Sequence, residues 1–310
     1  MPRTRRKDAT PEERAKWAAN RAQHVADLKS EFDDAVSQLV TSEGWAAVLE
    51  SVARFRHRSF RNMILILRKC PHATHVEGYT QWQRQGRQVR RGEDPIYILA
   101  PMPIRAKDAE GDDAGEPESD GKRARPRTFF KPVRVYDISQ TDRIDGQPDP
   151  EPVNAAPRLT GEVPPGMWAS LADYVAAQGY TVERGDTAPA NGWTRPEGRI
   201  VRVSDTLPDA HAAKTLCHEA AHITCDHVAD MDEYRQHRGR METEAESVAY
   251  VVCRALGMDS ATVSVPYVAG WAGDTPEAVR DTIKATGQQV MAAAQKILDA
   301  VAPDREHGAA

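Results

Sequence analysis

The stretch Thr215 Leu216 Cys217 His218 Glu219 Ala220 Ala221 His222 decides the fold of the C-terminal half of this chain. It contains the H-E-x-x-H pattern. Side chains four residues apart lie on one face of an α-helix, so His218 and His222 can bind one Zn²⁺, while Glu219 can reach a water on the metal. The pattern therefore predicts a helix that carries the core of a zinc hydrolase site.

The residues around this pattern favour the same helix. Residues 207–228 are predicted to be helical, with Asp205 or Thr206 as the N-cap and Pro208 in the first turn. Small and apolar residues form a buried stripe at Ala213, Leu216, Cys217, Ala220 and Thr224. The two histidines flank this stripe, so they can reach a metal ion. Because Cys217 lies within the stripe, a buried thiol is a commoner state for it than a metal ligand.

A second helix supplies the candidate third ligand. The run M-E-T-E-A-E at 241–246 opens a helix that ends at Gly257. Glu242 and Glu246 are like charges four residues apart, an unfavourable pair unless a positive group lies beside them. Catalytic zinc usually has three protein ligands, so we expect Glu242 to be the third and Glu246 to accept a hydrogen bond from a ligand histidine. Glu244 or Glu246 is the alternative third ligand, and a solvated helix without metal is the alternative for the histidines.

The pairing of HEAAH with ETEAE resembles the ImmA/IrrE and ArdC groups of bacterial zinc metallopeptidases. Their second helix carries a glutamate ligand followed four residues later by Asn, Asp or Glu. Tyr267 and Trp271 also look like the Tyr and Trp that follow this helix in ArdC-type proteins. The resemblance covers residues 160–290 and implies a zincin-like, gluzincin-type metallopeptidase domain.

Length and composition set the bounds of the fold. A chain of 310 residues can hold two domains. The four cysteines show no paired spacing, and the basic start at 1–7 is followed by no apolar segment of a signal peptide, which favours a reduced cytoplasmic protein. No apolar run approaches the roughly 18 residues of a membrane span. We therefore expect no membrane partner.

Charge is distributed unevenly along the chain. The formal net charge is −5, yet residues 51–100 hold ten Lys/Arg against three Asp/Glu, a local net charge of +7 that leaves −12 for the remainder. Such asymmetry indicates a partner rather than a fold. Arginines can pair with phosphates, and aromatic side chains between them can stack on bases, so this segment is typical of a groove for single-stranded nucleic acid.

The basic segment also resembles a known domain. The pattern Ser59-x-x-Asn62 and the string W-x-x-x-G-R-x-V-R-x-G-E at 82–93 are similar to the N-terminal single-stranded-DNA-binding domain of ArdC-type antirestriction proteins. That resemblance spans residues 15–137. It implies binding of single-stranded DNA, for which the candidate contacts are Arg58, Ser59, Asn62, Tyr79, Trp82, Arg84, Arg87, Arg90 and Arg91. The alternative for Trp82 is a place in the core, and arginine runs are more often solvated faces.

We predict an α+β protein of two domains. Residues 10–139 form a helix-plus-small-sheet domain that binds single-stranded DNA, with helices at 10–41, 43–55 and, as helix or strand, 59–70. Strands are expected at 75–79, 95–99 and 128–138, and an acidic Gly-rich loop at 105–127 is expected to be disordered. A linker at 140–157 leads to the metallopeptidase domain at 158–303, and the tails at 1–9 and 304–310 lie outside both domains.

The expected chemistry follows from the zinc site. Glu219 takes a proton from a zinc-activated water that attacks a peptide carbonyl, and then passes the proton to the leaving amine. Tyr267 is a candidate donor to the developing oxyanion, or else it packs against Trp271. Two other interpretations stay open: an antirestriction module that only binds DNA, with structural zinc, and a regulatory peptidase that cleaves a repressor. The protein or peptide substrate is not encoded in any motif.

Overall fold

The computed structural model describes residues 10–39, 42–52, 54–55, 57–102, 129–147, 162–258 and 275–302. It is α+β, as expected. The chain divides into two compact units, Met1–Phe32 with Leu65–Pro150 and Asp33–Ile64 with Glu151–Ala310. Each unit has its own buried core. No helix among the described residues is long and apolar enough to cross a bilayer.

Three helices open the chain: α1 Pro11–Ser37, α2 Ser42–Val52 and α3 Phe60–Lys69. Thr10 caps α1, as the helix-start pattern T-P-E-E at 10–13 predicts. The Glu13 amide donates to Thr10 Oγ1 at 3.2 Å, while the Glu13 carboxylate accepts from the Thr10 amide at 2.8 Å. The segment for which the sequence allowed helix or strand is the helix α3. Its apolar residues Phe60, Met63, Ile64, Leu65 and Ile66 are all buried.

The first unit is built on two small sheets. Its elements are β1 Val76–Glu77, α4 Tyr79–Arg84, β2 Arg87–Val89, β3 Ile96–Met102, β4 Phe129–Asp137 and β5 Thr141–Arg143. Strands β1, β4 and β3 pair antiparallel in that order, and β2 pairs antiparallel with β5. The residues expected to start the interdomain linker thus form β5, while 148–157 and the expected disordered loop at 105–127 lie outside the described residues.

The second unit carries the H-E-x-x-H pattern. Its elements are α5 Met167–Ala177, β6 Thr181–Gly185, β7 Gly192–Arg195, β8 Ile200–Ser204, α6 Asp209–Thr224, α7 Met231–Ala255 and α8 Pro276–Val301. Strands β6 and β8, which the sequence predicts at 180–184 and 199–203, pair in parallel. Strand β7, which the sequence did not predict, adds antiparallel to the other side of β8. Strand β7 is therefore an edge strand of the sheet.

The helix α2 belongs to the second unit, although the boundary drawn from sequence places it in the N-terminal domain. The indole nitrogen of fully buried Trp45 donates to Ser247 Oγ on α7 at 3.1 Å. A Cβ on Gly287 of α8 would lie 2.4 Å from the Phe60 ring, so only glycine permits that approach. These contacts join residues 33–64 to α7 and α8 in one core.

Two helix starts differ from the prediction. Helix α6 begins at Asp209 with Pro208 as N-cap, so neither Asp205 nor Thr206 caps it. Helix α7 begins ten residues before Met241, because Asp230 caps it by accepting from the amides of Asp232 and Glu233. A kink at His237 (φ −118°, ψ 22°) interrupts α7. Sequence reasoning detected only the apolar part after the kink.

Candidate functional site

Helices α6 and α7 bring the predicted metal ligands together. His218 Nε2 lies 3.1 Å from His222 Nε2 and 3.4 Å from Glu242 Oε2, and His222 Nε2 lies 3.8 Å from Glu242 Oε1. Ligand atoms about 2.0–2.1 Å from a tetrahedral metal ion are about 3.3–3.4 Å apart. The donor set of two imidazoles and one carboxylate, spaced in this way, therefore fits a divalent metal ion such as Zn²⁺.

The three glutamates of α7 have different partners. Glu242 faces both histidines. Glu246 Oε2 lies 3.1 Å from His218 Nδ1, in the hydrogen-bonding position predicted for it, and its other oxygen pairs with Lys214 at 2.7 Å. Glu244 is buried on another face of the helix and bonds to His227. Among the three candidates, only Glu242 belongs to the ligand cluster with His218 and His222.

The cluster holds opposite charges when no metal is bound. Burial disfavours the charged His218 imidazole, but hydrogen bonds to Glu242 and Glu246 outweigh it and raise the pKa of His218 to about 9. Burial likewise opposes the charged Glu242 carboxylate, yet His218 and Tyr234 bring its pKa down to about 2. Burial and the neighbouring His218 charge lower the pKa of His222 to about 3. The additional proton on His218 therefore supplies the positive charge that a bound cation would otherwise supply.

Glu219 lies beside the cluster at the edge strand. It is buried, and burial raises the pKa of its carboxyl group. Thr194 of β7 donates to Glu219 Oε2 at 2.7 Å, which fixes the carboxylate. A Cβ at Gly192 would lie 2.7 Å from Thr215 Cγ2 and 3.0 Å from the Arg202 carbonyl oxygen, so glycine lets β7 approach α6. A cleft of about 220 Å³ opens here, lined by Gly192, Glu219 and His218 among others.

The basic segment has a different character. Trp82 is 0 % exposed, its indole nitrogen donates to the Tyr136 carbonyl at 2.9 Å, and its ring packs on His75. It cannot stack on a base from this position, so the expectation that Trp82 contacts DNA is corrected: it is a core residue. Tyr79 is 45 % exposed, and its hydroxyl accepts from Gln88 at 2.6 Å.

The arginines of this segment divide into two groups. Arg90 bonds to Glu93 at 2.8 Å and to Asp142 at 3.3 Å, and Arg87 donates to Thr141 Oγ1 at 2.7 Å, so both tie β2 to its surroundings. The side chains of Arg84 and Arg91 are exposed and make no hydrogen bond or ion pair with other residues that the structure describes. A shallow groove runs from Tyr79 past Val89 to Arg91 and Gly92.

Three further residues expected at DNA belong to the second unit, since it includes Asp33–Ile64. Arg58 is half-buried, and Ser59 is exposed at the start of α3, where its hydroxyl oxygen accepts from the Asn62 amide at 3.3 Å. Ser59 thus acts as a helix cap. The local contacts of Ser59 and Asn62 are those of a helix start.

Comparison with known proteins gives a family match in the N-terminal part of the chain and a fold match over most of its length. Residues 24–136 match the family described as the N-terminal domain of anti-restriction factor ArdC. The metal-free crystal structure of the antirestriction ArdC protein from the R388 plasmid matches with a TM-score of 0.54 and 18 % identity, over 87 % of this chain and 97 % of that one. The chain is therefore similar to ArdC in sequence over residues 24–136 and in fold over most of its length.

Two other matches are weaker. The Mn(II)-bound structure of the R388 protein gives a TM-score of 0.48 at 20 % identity, covering 80 % of the ArdC-like chain and 86 % of that structure. An uncharacterized protein of Bacillus anthracis, pXO2-81, is 23 % identical over 251 residues. That alignment covers 71 % of the ArdC-like chain and 41 % of the relative, so the chain spans less than half of that protein.

Three residues of the candidate site were missed by sequence reasoning. Thr194 lies on the unpredicted strand β7, and Tyr234 lies before the kink of α7, where its hydroxyl donates to Glu242. His227 lies 3.1 Å from the Nδ1 atom of His222. A histidine five residues after the pattern is a weak signal, because the end of α6 decides where it points. Tyr267, predicted either as an oxyanion donor or as packing against Trp271, lies outside the described residues, as Trp271 does.

Proposed function

We propose that this ArdC-like protein is a zinc-dependent metallopeptidase joined to a single-stranded-DNA-binding domain and serves in antirestriction. The observation that supports the peptidase is the convergence of His218, His222 and Glu242 beside the buried carboxylate of Glu219. Two imidazoles and one carboxylate with a neighbouring general base are the parts of a catalytic zincin-like site, because a structural zinc site is normally closed by four ligands. The R388 relative has been crystallised with Mn(II), and nitrogen and carboxylate ligands of this kind suit zinc as well.

The residues of the site then have defined roles. A divalent cation held by His218, His222 and Glu242 supplies Lewis acidity for water and for the substrate carbonyl. Glu219 accepts the proton of the attacking water and returns it to the leaving amine, and its raised pKa brings its basicity closer to neutral pH. Thr194 orients this carboxylate. As an edge strand, β7 provides main-chain groups that align an extended peptide next to the cleft.

Replacement of Glu219 by Gln tests the assignment of a catalytic base. The amide keeps the shape and the Thr194 contact but cannot take a proton, so we expect Glu219→Gln to bind zinc like the wild type and to lose hydrolysis of a mixed peptide library by roughly 10²–10⁴-fold. His218→Ala serves as the comparison, since it should lose both zinc and activity. Equal turnover by Glu219→Gln and wild type would rule out the role.

For DNA, the proposed contacts are the exposed Arg84, Arg91 and Tyr79. Their side chains are available to phosphates and bases, whereas those of Arg90 and Trp82 are engaged within the protein. The direct test is a salt titration of oligonucleotide binding by the double variant Arg84→Ala/Arg91→Ala, with exposed Arg21 on α1 replaced as the matched control. Binding that neither changes with salt nor weakens in the double variant would favour the repressor-cleaving peptidase instead.

The purely DNA-binding alternative makes a distinct prediction. If zinc is structural, Glu219→Gln should preserve protection of incoming DNA from restriction in cells that carry the protein. Loss of protection in that variant, with oligonucleotide binding intact, would connect the zinc site to antirestriction.

A further inference from the structure

A buried hydrogen-bonded row of side chains extends from His222 away from the metal cluster. His222 Nδ1 lies 3.1 Å from His227 Nδ1, and His227 Nε2 lies 2.9 Å from Glu244 Oε2. The other oxygen of Glu244 accepts from the Thr286 hydroxyl at 3.3 Å. His227 is only 3 % exposed, Glu244 is buried and Thr286 is fully buried. The row joins the end of α6 to α7 and α8.

One assignment of protons to the two histidines gives every donor in this row an acceptor. An imidazole that presents Nε2 to a metal ion carries its proton on Nδ1. His222 then donates from Nδ1 to His227 Nδ1, which must be an acceptor, so His227 carries its proton on Nε2 and donates it to the Glu244 carboxylate. Every buried polar atom in the row has a partner under this assignment. The carboxylate at the far end fixes the tautomer of both histidines.

We propose that His227 and Glu244 are positioning residues for the ligand His222, a role that rests on the proposed metal site. They hold the His222 ring so that Nε2 faces Glu242 and His218, and they keep the proton on its other nitrogen. Ligand histidines commonly donate to a carboxylate directly, as His218 does to Glu246 here. For His222 the carboxylate acts through a second imidazole, because Glu244 lies one side chain further from the metal.

The backbone at the end of α6 is shaped for this contact. Asp226 has φ +65°, a left-handed conformation that non-glycine residues rarely adopt, and the His227 amide donates to the His222 carbonyl at 3.0 Å. This turn reverses the direction of the chain, so that the His227 ring contacts the His222 ring. Two ionisable side chains are buried as a result, an arrangement that is unfavourable unless both are hydrogen-bonded. Glu244, which the sequence left as a possible zinc ligand, is occupied by this second role.

The experiment compares zinc affinity among purified full-length variants, using competition with a chromophoric chelator. We expect His227→Ala to weaken zinc binding by roughly 10- to 100-fold, in the range of outer-shell substitutions. His227→Gln, which can still accept and donate, should recover part of the loss, and Thr286→Val should show the smallest change. Exposed His237 supplies the matched control, and His237→Ala should bind zinc like wild type.

A second readout separates positioning from simple stabilisation. The melting temperature of the metal-free protein reports stability, whereas the dissociation constant and the visible spectrum of the Co²⁺-loaded protein report ligand geometry. A lower melting temperature with unchanged zinc affinity and Co²⁺ spectrum in His227→Ala would overturn the inference. Should that variant fail to fold, Glu244→Gln and His227→Gln decide by the same criterion. A wild-type protein that binds no zinc would instead overturn the proposed function.

Discussion

The metal cluster and the basic segment were predicted with equal detail but differ in how their side chains are used. All three predicted ligands of the cluster face one another within 4.8 Å. In the basic segment Trp82 is buried, and Arg87 and Arg90 bond to residues of β5, which leaves Tyr79, Arg84 and Arg91 exposed. The difference shows that spacing on a helix fixes direction, whereas composition of a strand and turn segment does not.

The largest expected effect concerns the ligands of the cluster. Glu242→Ala removes a ligand, so it should weaken zinc binding by more than the roughly 10- to 100-fold typical of outer-shell changes. Glu246→Gln alters the partner of His218 and of Lys214 but removes none of the three proposed ligands, so its effect should stay inside that range. Chelator competition on both proteins checks the order. A reversed order would exchange the roles of the two glutamates.

The next prediction tests the corrected role of Trp82. Its truncation to alanine empties a fully buried site, so we expect Trp82→Ala to lower the free energy of unfolding by about 3–5 kcal/mol. Replacement of the exposed Arg91 by alanine should change the free energy of unfolding by less than about 0.5 kcal/mol. Urea denaturation of the two variants measures both values. A Trp82→Ala protein of unchanged stability but weakened DNA binding would indicate instead that Trp82 contacts DNA.

The pH dependence of zinc binding examines the electrostatics of the cluster. In the metal-free protein His218 has a pKa of about 9, whereas His222 at about 3 is neutral and Glu242 at about 2 is charged near pH 7. Zinc must displace one proton from His218, so affinity should rise by about tenfold per pH unit between pH 6.5 and 8.5. Calorimetry in buffers of different ionisation enthalpy counts the released protons. Release of no proton at pH 7 would contradict the pairing of His218 with the two glutamates.

The smallest effect is expected for single arginines in the basic segment. Arg91→Ala should reduce the slope of log affinity against log salt by about 0.7, the value for one phosphate contact on a single strand. Arg90→Ala is the comparison. Because Arg90 is held in ion pairs with Glu93 and Asp142, its replacement should change the slope less than Arg91→Ala does. Fluorescence anisotropy with a labelled oligonucleotide measures both. Equal slopes for the two variants would show that the ion pairs do not restrain Arg90.

Sequence reasoning was sufficient for the elements with strong local signals. The helix that carries H-E-x-x-H follows from its periodicity. The patterns T-P-E at 10–12 and at 275–277 each predict a helix start, and the structure places Thr10 and Thr275 as the caps of the first and last helices. Sequence reasoning did not predict β7 or the start of α7, because Gly192–Arg195 is short and the first turns of α7 are mostly polar. Elements that depend on partners distant in sequence leave little local pattern.

The sequence by itself determined which residues could hold a metal, since two histidines four apart on a helix must share a face. Only the tertiary structure decided among the three glutamates, because it sets which side of α7 meets α6, and it alone placed His227, Thr194 and Tyr234 next to the cluster. The same holds for residues 33–64, which join the C-terminal unit through packing against α7 and α8. Local periodicity fixes the direction of a side chain within its own helix, while its neighbours depend on contacts between segments far apart in the chain.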